Sequence, residues 1–186
     1  HHAVFARIEA AAPWLLPTLA RLVFAGTLLS YFWSSARTKL GDGLLGFLSP
    51  STGAYAQIFP KKAEAVLYDV SQFGALEKLV ILAGTWAEFL LPLLIVLGLL
   101  TRLAAVGMIG FVVVQSLTDI LGHGADAATI GAWFDARSDA LILDQRAFWI
   151  FVLIYLAMRG AGPLSLDRVL SARLRSARLP DHAASG

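Results

Sequence analysis

The chain has 186 residues, of which 58% are hydrophobic and only 15% are charged, and its formal net charge at pH 7 is +2. Soluble domains contain roughly 45–50% apolar and about 25% charged residues, so this composition argues against a soluble protein and indicates a membrane protein. Cysteine is absent, which excludes disulfide exchange and thiolate-bound metal or iron–sulfur centres formed by this chain alone.

Four apolar stretches are predicted to be transmembrane helices, each of which needs about 20 residues. They span residues 11–33, 79–100, 103–122 and 140–158. The first stretch is too long for the apolar region of a secretory signal peptide, so we expect it to stay in the membrane. The fourth is long enough only if "ALILDQR" precedes "AFWIFVLIYLAM", which places Asp144 and Arg146 inside the helix. The expected fold class is all-α, an integral membrane four-helix bundle with short surface helices that forms one domain over residues 1–186.

The lysine and arginine residues near the ends of the spans predict their orientation. The turn between the second and third spans contains Arg102, and five arginines follow the fourth span: Arg159, Arg168, Arg173, Arg175 and Arg178. The connection between the third and fourth spans is acidic, with Asp119, Asp126, Asp135, Asp139 and Asp144. We therefore expect both termini and the tail 159–186 in the cytoplasm, with the segment 34–78 and the acidic loop 123–139 outside.

Two charged residues lie near the centres of predicted spans, where an unpaired charge costs at least about 2.5–3.5 kcal/mol. Arg21 adjoins the midpoint of the first span, and Glu88 adjoins the midpoint of the second. Because consecutive spans are antiparallel, charges at similar depth can meet, and an Arg21–Glu88 ion pair is the hypothesis that explains both. The alternative is that Arg21 extends to the cytoplasmic interface and Glu88 is protonated. Such a pair would join two helices without itself doing chemistry.

A second polar group follows one face of the third span. Gln115, Asp119 and His123 are spaced at i, i+4 and i+8, so their side chains lie on the same side of a helix. Three residues near the start of the fourth span lie at the same predicted end: Asp139, Asp144 and Arg146. Together the six predict a polar chamber that opens outward, for proton transfer, a small polar ligand or a cation. The alternative is that these groups are helix ends in contact with water. With one histidine outside the termini, no metal site is predicted.

Two tryptophans within the spans are candidates for a binding slot. Trp86 lies close to Glu88, and Trp149 lies in the fourth span, where their rings could line a slot for a quinone or a bound lipid, although helix packing alone is the more common explanation of such rings. The chain has no CxxCH motif, no glycine-rich phosphate loop and no supported Ser/His/Asp set. The arginine-rich tail favours anionic lipid headgroups over nucleic acid as its partner.

Three motifs, taken together, resemble the DoxX family of small bacterial membrane proteins. They are "ARLVFAGTLL" in the first span, "AEFLLPLLIVLGLLTRLAAVG" across the second and third, and "RGAGPLSLDRVL" at 159–170, and the match covers about residues 18–171. The resemblance implies a four-helix bundle in the bacterial inner membrane. It also implies an association with quinone-linked or thiol-linked redox complexes, since the family takes its name from the partner of the DoxD subunit of a thiosulfate:quinone oxidoreductase.

The resemblance also implies which polar residues recur: Arg21, Glu88, Arg102 and Asp167, with Gln115 at a similar helix position. In "GPLSLD" we expect Ser165 to cap a short cytoplasmic helix that contains Asp167. The chain departs from the family in two respects, because it lacks the cysteine that thiol chemistry requires and because its connection between the third and fourth spans is longer and richer in aspartate.

The favoured hypothesis is a DoxX-like accessory or small subunit of a quinone-linked redox complex, mainly structural and without a catalytic centre of its own. One alternative is a quinone-binding oxidoreductase subunit that transfers protons through Glu88 and the stripe Gln115, Asp119 and His123. Another is a small transporter or ion-handling protein. The expected partners are membrane lipids and other membrane subunits, and no cofactor is expected beyond a quinone or a bound lipid.

Overall fold

The computed structural model describes residues 2–43 and 45–176, in which the regular elements are helices. In chain order the helices are α1 (His2–Lys39), α2 (Thr52–Ile58), α3 (Pro60–Ala65), α4 (Ala75–Leu97), α5 (Thr101–Gly122), α6 (Ala127–Ile130), α7 (Leu141–Arg159) and α8 (Leu166–Ser176). Two 3₁₀ turns, Gly46–Leu48 and Val70–Gln72, lie in the segment between α1 and α4.

Four of these helices, α1, α4, α5 and α7, are long and apolar enough to span a membrane. Three of them agree with the predicted spans to within about four residues at each end. The first differs, because α1 starts at His2 and continues through Lys39, well beyond the predicted limits of 11–33. The sequence explains this difference, since "SYFWSSARTK" contains neither proline nor glycine and the first helix breaker after it is Gly41.

Side chains from all four long helices meet in one hydrophobic core. The fully buried members are Phe24, Leu28 and Phe32 of α1, Ile95 of α4, Ala104, Ala105, Met108 and Val112 of α5, and Leu153 and Leu156 of α7. The outward faces of the same helices are also apolar, and Leu103 and Phe148 are each 70% exposed. Exposed apolar surface that runs along every long helix matches a hydrocarbon environment better than water.

The connections place two distinct structures at opposite ends of the long helices. At one end, the segment 40–74 meets the end of α5, where the imidazole Nε2 of His123 lies 2.9 Å from the carbonyl oxygen of Gln57. At the other end, α8 packs on the turn 98–100 between α4 and α5, and the backbone N–H of Asp167 donates to the carbonyl of Gly98 at 2.8 Å. We call these the loop end and the tail end. Arg178, predicted to be part of the basic tail, lies outside the described residues.

Candidate functional site

A cleft of about 400 Å³ lies between α1, α4 and α5, and the end of α2 covers it at the loop end. Most of its wall is apolar, with Val80 and Leu91 from α4 and Phe111 and Val114 from α5. Polar side chains are concentrated on α1 and along the α5 wall toward the loop end. The cleft therefore has the composition of a site for a mainly apolar molecule with a polar group at one end.

Glycines on α4 and α5 leave the space that the cleft occupies. A Cβ atom built at Gly84 or at Gly110 would have no atom within 4 Å, although both residues line the cleft. At Gly107, which also lines it, a Cβ would already contact Leu91 at 3.2 Å. A larger side chain at Gly84 or Gly110 would therefore extend into the cleft without clashing with its own surroundings.

The charged side of the cleft is a buried ion pair between α1 and α4. The Nζ atom of Lys39 lies 2.9 Å from Oε2 and 3.1 Å from Oε1 of Glu88. The hydroxyl of Ser35 donates to Oε1 of Glu88 at 3.0 Å and lies 2.7 Å from Nζ of Lys39. All three residues line the cleft. Each charge thus has a partner, as desolvated charges require, and a ligand in the cleft would lie beside both signs of charge.

The polar stripe predicted on the third span lines the same cleft. Gln115, Asp119 and His123 are all cleft residues, together with Glu88. The amide nitrogen of Gln115 donates to the hydroxyl of Tyr31 at 3.0 Å, while its amide oxygen is buried with no hydrogen-bond partner among the described residues. The structure therefore brings the stripe and Glu88 into one site.

Asp119 links this cleft to α7 through a second ion pair. Its Oδ2 atom accepts from Nη2 of Arg146 at 2.6 Å, and Nη1 of Arg146 donates to the hydroxyl of Ser116 at 3.0 Å. Arg146 is only 2% exposed. Both charged residues lie at π-helical turns, since Asp119 is within Thr118–Gly122 and Arg146 follows Leu141–Gln145. Turns of this type occur often at functional positions in helices.

The structure separates Asp139 and Asp144, two of the six residues of the predicted polar chamber, from the cleft that the stripe lines. Asp144 accepts a hydrogen bond from the backbone N–H of Ala140 at 3.0 Å, and Asp139 provides its backbone carbonyl to the side chain of Gln145. Neither carboxylate lines the cleft. Both contacts lie at the start of α7, where Ala140 directly precedes the first helical residue, Leu141. The cleft that the stripe lines is on the α1–α4 side of α5, whereas a separate pocket between α5 and α7 is lined by Ser116 and Arg146, and another in the acidic connection is lined by Asp139.

The predicted Arg21–Glu88 ion pair is also wrong. Arg21 donates to four backbone carbonyls at the tail end, those of Ile95 (2.9 Å), Val96 (2.6 Å), Ala161 (3.0 Å) and Leu164 (2.5 Å). Ile95 and Val96 are in the last turn of α4, where backbone carbonyls have no N–H donor four residues later within the helix. Ser35, the first of the two α1 residues that contact Glu88, lies fourteen residues beyond Arg21, which is roughly 21 Å of helix.

Trp86 and Trp149 do not form a common slot. The indole N–H of Trp86 donates to the carbonyl of Phe47 at 3.1 Å, and the ring lies beside Phe47 and Phe89. Trp149 contacts the rings of Tyr31 and Phe32 within the helix packing. Neither indole lines the cleft. The prediction failed because the two tryptophans, on different helices, face different neighbours. The rotation of each helix about its axis decides this, and the sequence spacing does not reveal it.

The three residues of the predicted cytoplasmic motif meet at the tail end. The carboxylate of Asp167 accepts from the backbone N–H groups of Leu100 (2.7 Å) and Thr101 (3.1 Å), so it caps the start of α5. The hydroxyl of Ser165 accepts from the N–H of Arg168 at the start of α8, as its sequence position predicts. Arg102 lines an open cleft beside them.

Sequence reasoning missed Ser35, Lys39 and Gln57. Lys39 was counted as a loop residue because the first span was expected to end at residue 33. Two signals could have identified it: the absence of a helix breaker before Gly41, and the i, i+4 spacing of Ser35 and Lys39 on one helical face. Gln57 has no comparable signal, since its position depends on how the segment 40–74 folds back.

Within residues 2–43 and 45–176, no group of three or more histidine, aspartate or glutamate side chains could hold a metal ion. The polar side chains that line the cleft include the hydrogen-bond donors Lys39 and Gln115 and the carboxylates Glu88 and Asp119. No family model, no curated protein and no solved structure matches the chain, so the resemblance to the DoxX family stays a prediction.

Proposed function

We propose that this chain is an integral membrane protein of four spanning helices that binds a lipid-soluble quinone in the cleft, as a small subunit of a redox complex. The observation that carries the proposal is the composition of the cleft. An apolar wall between α4 and α5 ends at a buried Lys39–Glu88 pair and at the polar stripe of Gln115, Asp119 and His123.

Membrane insertion is proposed from the apolar outer faces of the long helices. The distribution of Lys and Arg favours a cytoplasmic tail end and an external loop end. The resemblance to the DoxX family adds the bacterial inner membrane as the location and a quinone-linked complex as the partner. In this arrangement the cleft opens within the membrane, where a lipid-soluble molecule is concentrated.

A quinone suits the chemistry of the polar end. Its two ring carbonyl oxygens accept hydrogen bonds, and the side-chain amide of Gln115, which lines the cleft, has a second N–H beside the one that it donates to Tyr31. Conversion of a quinone to a quinol adds two electrons and two protons to these oxygens. Glu88, Asp119 and His123 are groups that can carry protons, and a partner subunit would supply the electrons. This chain would then bind and protonate the quinone.

The test is the binding of a short-chain ubiquinone to the protein in lipid nanodiscs, measured by calorimetric titration. Gly110→Leu and Gly84→Leu should weaken binding at least tenfold, because each added side chain extends into the cleft. Gly26→Leu is the matched control: its Cβ would also have no atom within 4 Å, but Gly26 does not line the cleft. Unchanged binding in the two cleft variants would overturn the proposal.

A second candidate is the passage of a small ion, which the position of His123 favours. The polar stripe reaches the loop end at the contact between His123 and Gln57, so the cleft has a polar route toward one side of the membrane. If this is its function, reconstituted liposomes will show a proton or cation flux that Asp119→Asn reduces at least tenfold. A flux equal to that of protein-free liposomes would exclude it.

A further inference from the structure

A second cleft, of about 840 Å³, lies at the tail end, between the start of α5, the end of α7 and α8. Three arginines from three different elements line it: Arg102, Arg159 and Arg168. Two serine side chains, Ser165 and Ser171, line it as well. This tail-end cleft is separate from the cleft beside Lys39 and Glu88, because the two clefts share no lining residue.

The three arginines of this tail-end cleft outnumber the carboxylate among its lining residues, so the cleft keeps an excess of positive charge. None of the three arginines forms an ion pair with a carboxylate of residues 2–43 or 45–176, and all three are exposed. The carboxylate that lines the cleft belongs to Asp167, and both of its oxygens already accept backbone N–H groups at the start of α5. Three guanidinium groups with free donors around one cavity form a site for an anion.

Backbone geometry helps to fix one of these arginines. Gly160 has a φ of +79°, and a Cβ built on it would lie 3.3 Å from Nε of Arg102. The guanidinium of Arg102 therefore packs closely over the backbone where α7 ends. Glycine at this position allows both the positive φ of the turn and the close approach of the Arg102 side chain. Arg102 and Arg159, the last residue of α7, line the same cleft.

Helix α8 carries apolar side chains and cleft-lining polar side chains on different faces. Leu166, Val169, Leu170 and Leu174 occupy one face of α8 and are exposed. Arg168 and Ser171 lie on the other face and line the cleft. A helix with this division lies at the boundary between acyl chains and headgroups. The arginines then lie at the depth of lipid phosphates.

We propose that the tail-end cleft binds the phosphate group of an anionic phospholipid from the surrounding leaflet. Arg102, Arg159 and Arg168 donate hydrogen bonds to the phosphate oxygens, and the acyl chains extend along the exposed apolar surface of the long helices. The net negative charge of the lipid selects it over zwitterionic lipids. This site rests on the proposed membrane insertion but not on the proposed quinone function.

Native mass spectrometry of the detergent-purified protein tests the site, with phosphatidylglycerol and phosphatidylcholine titrated in parallel. We expect a preference for phosphatidylglycerol, reduced about fivefold by each single Arg→Gln change and on the order of a hundredfold by all three together. The matched control carries Arg37→Gln, Lys61→Gln and Arg137→Gln at the loop end, an equal loss of charge at exposed positions outside the cleft, and it should keep the preference.

Inorganic phosphate and glycerol 3-phosphate are tested as competitors, to separate a lipid headgroup from a free phosphate. Weak competition by either supports a lipid site, whereas complete displacement at equal concentration overturns it. Retention of the preference in the triple tail-end variant also overturns it. If the triple variant does not fold, the single variant Arg159→Gln decides the test. It removes no hydrogen bond described for the folded chain, so an unchanged lipid preference in this variant overturns the proposal.

Discussion

The ammonium group of Lys39 lies 2.9 Å from the carboxylate of Glu88, and both side chains are more than nine-tenths buried. Lys39 is the last residue of α1 and Glu88 lies in the middle of α4, so the pair fixes the end of one long helix against the centre of its neighbour. It also forms one side of the cleft. The same contact therefore contributes to the helix packing and to the candidate binding site.

Glu88→Gln should destabilise the protein by about 3–5 kcal/mol, because it leaves the Lys39 ammonium buried without a counter-charge. Thermal unfolding in detergent measures the change. The double variant Lys39→Met, Glu88→Gln should recover most of the loss, since no buried charge is left unpaired. Equal stability of the single variant and the unmodified chain would show that the ion pair is not formed.

The same cycle separates the observed partner from the one that the sequence predicted. Arg21 contacts backbone carbonyls at the tail end and has no contact with Glu88. The effects of Arg21→Met and Glu88→Gln should therefore add within about 0.5 kcal/mol, whereas those of Lys39→Met and Glu88→Gln should not. Strong coupling between Arg21 and Glu88 would restore the original hypothesis.

Asp119→Asn should destabilise the protein by about 1–3 kcal/mol. The change removes the counter-charge of Arg146, which is almost fully buried, but the Asp119 side chain is 29% exposed, so solvent offsets part of the loss. Unfolding in detergent again provides the measurement. Asp42→Asn, the same chemical change at an exposed residue without a described contact, should have no effect. If the two variants behave alike, the Asp119–Arg146 pair contributes nothing to stability.

The four long helices could be predicted because apolar stretches of about 20 residues are a strong signal. The actual partner of Glu88 could not, because the prediction of Arg21 as its partner rested on the midpoints of the spans. Composition locates the apolar part of a helix, but α1 extends past its apolar part to Lys39. The polar residues beyond that limit, which hydropathy assigns to a loop, supply the actual partner of Glu88.

The candidate site could be predicted only where it depends on a single helix. The i, i+4 and i+8 spacing of Gln115, Asp119 and His123 placed them on one face, and all three line the cleft. Which helix faces that stripe depends on rotation and on long-range packing. For the same reason the sequence did not indicate that Gly84 and Gly110 leave space beside it.

Gly98→Ala should destabilise the protein by about 1–3 kcal/mol. Gly98 has a φ of +68°, and a Cβ there would lie 2.6 Å from Cβ of Ser165 and 2.8 Å from Cζ of Arg21. Arg21→Met should reduce the penalty, because it removes one of the two clashes, and unfolding of the single and double variants measures this. Gly26→Ala, on a helix with open space around it, should be neutral or slightly stabilising. Tolerance of alanine at residue 98 would contradict the close approach of Arg21.

Asp126 should make the short helix α6 sensitive to acid. Its carboxylate accepts the backbone N–H of Thr129 at 2.7 Å, and the hydrogen bonds from the backbone and side chain of Thr129 lower the pKa of Asp126 below its usual value. Because the pKa is lower in the folded state, the stabilisation is complete above the pKa of the unfolded chain. It is lost as the pH falls through the folded value.

Hydrogen exchange of the Thr129 amide, followed from neutral pH to below about pH 4 and corrected for intrinsic exchange, measures this loss of stabilisation. Protection should decrease in acid in the unmodified chain. Asn also caps helices well but does not titrate, so Asp126→Asn should keep most of the protection at neutral pH and lose its dependence on acid. If protection in Asp126→Asn falls in acid as steeply as in the unmodified chain, another group controls this turn. A flat profile in both would mean that protonation of Asp126 does not release the Thr129 amide.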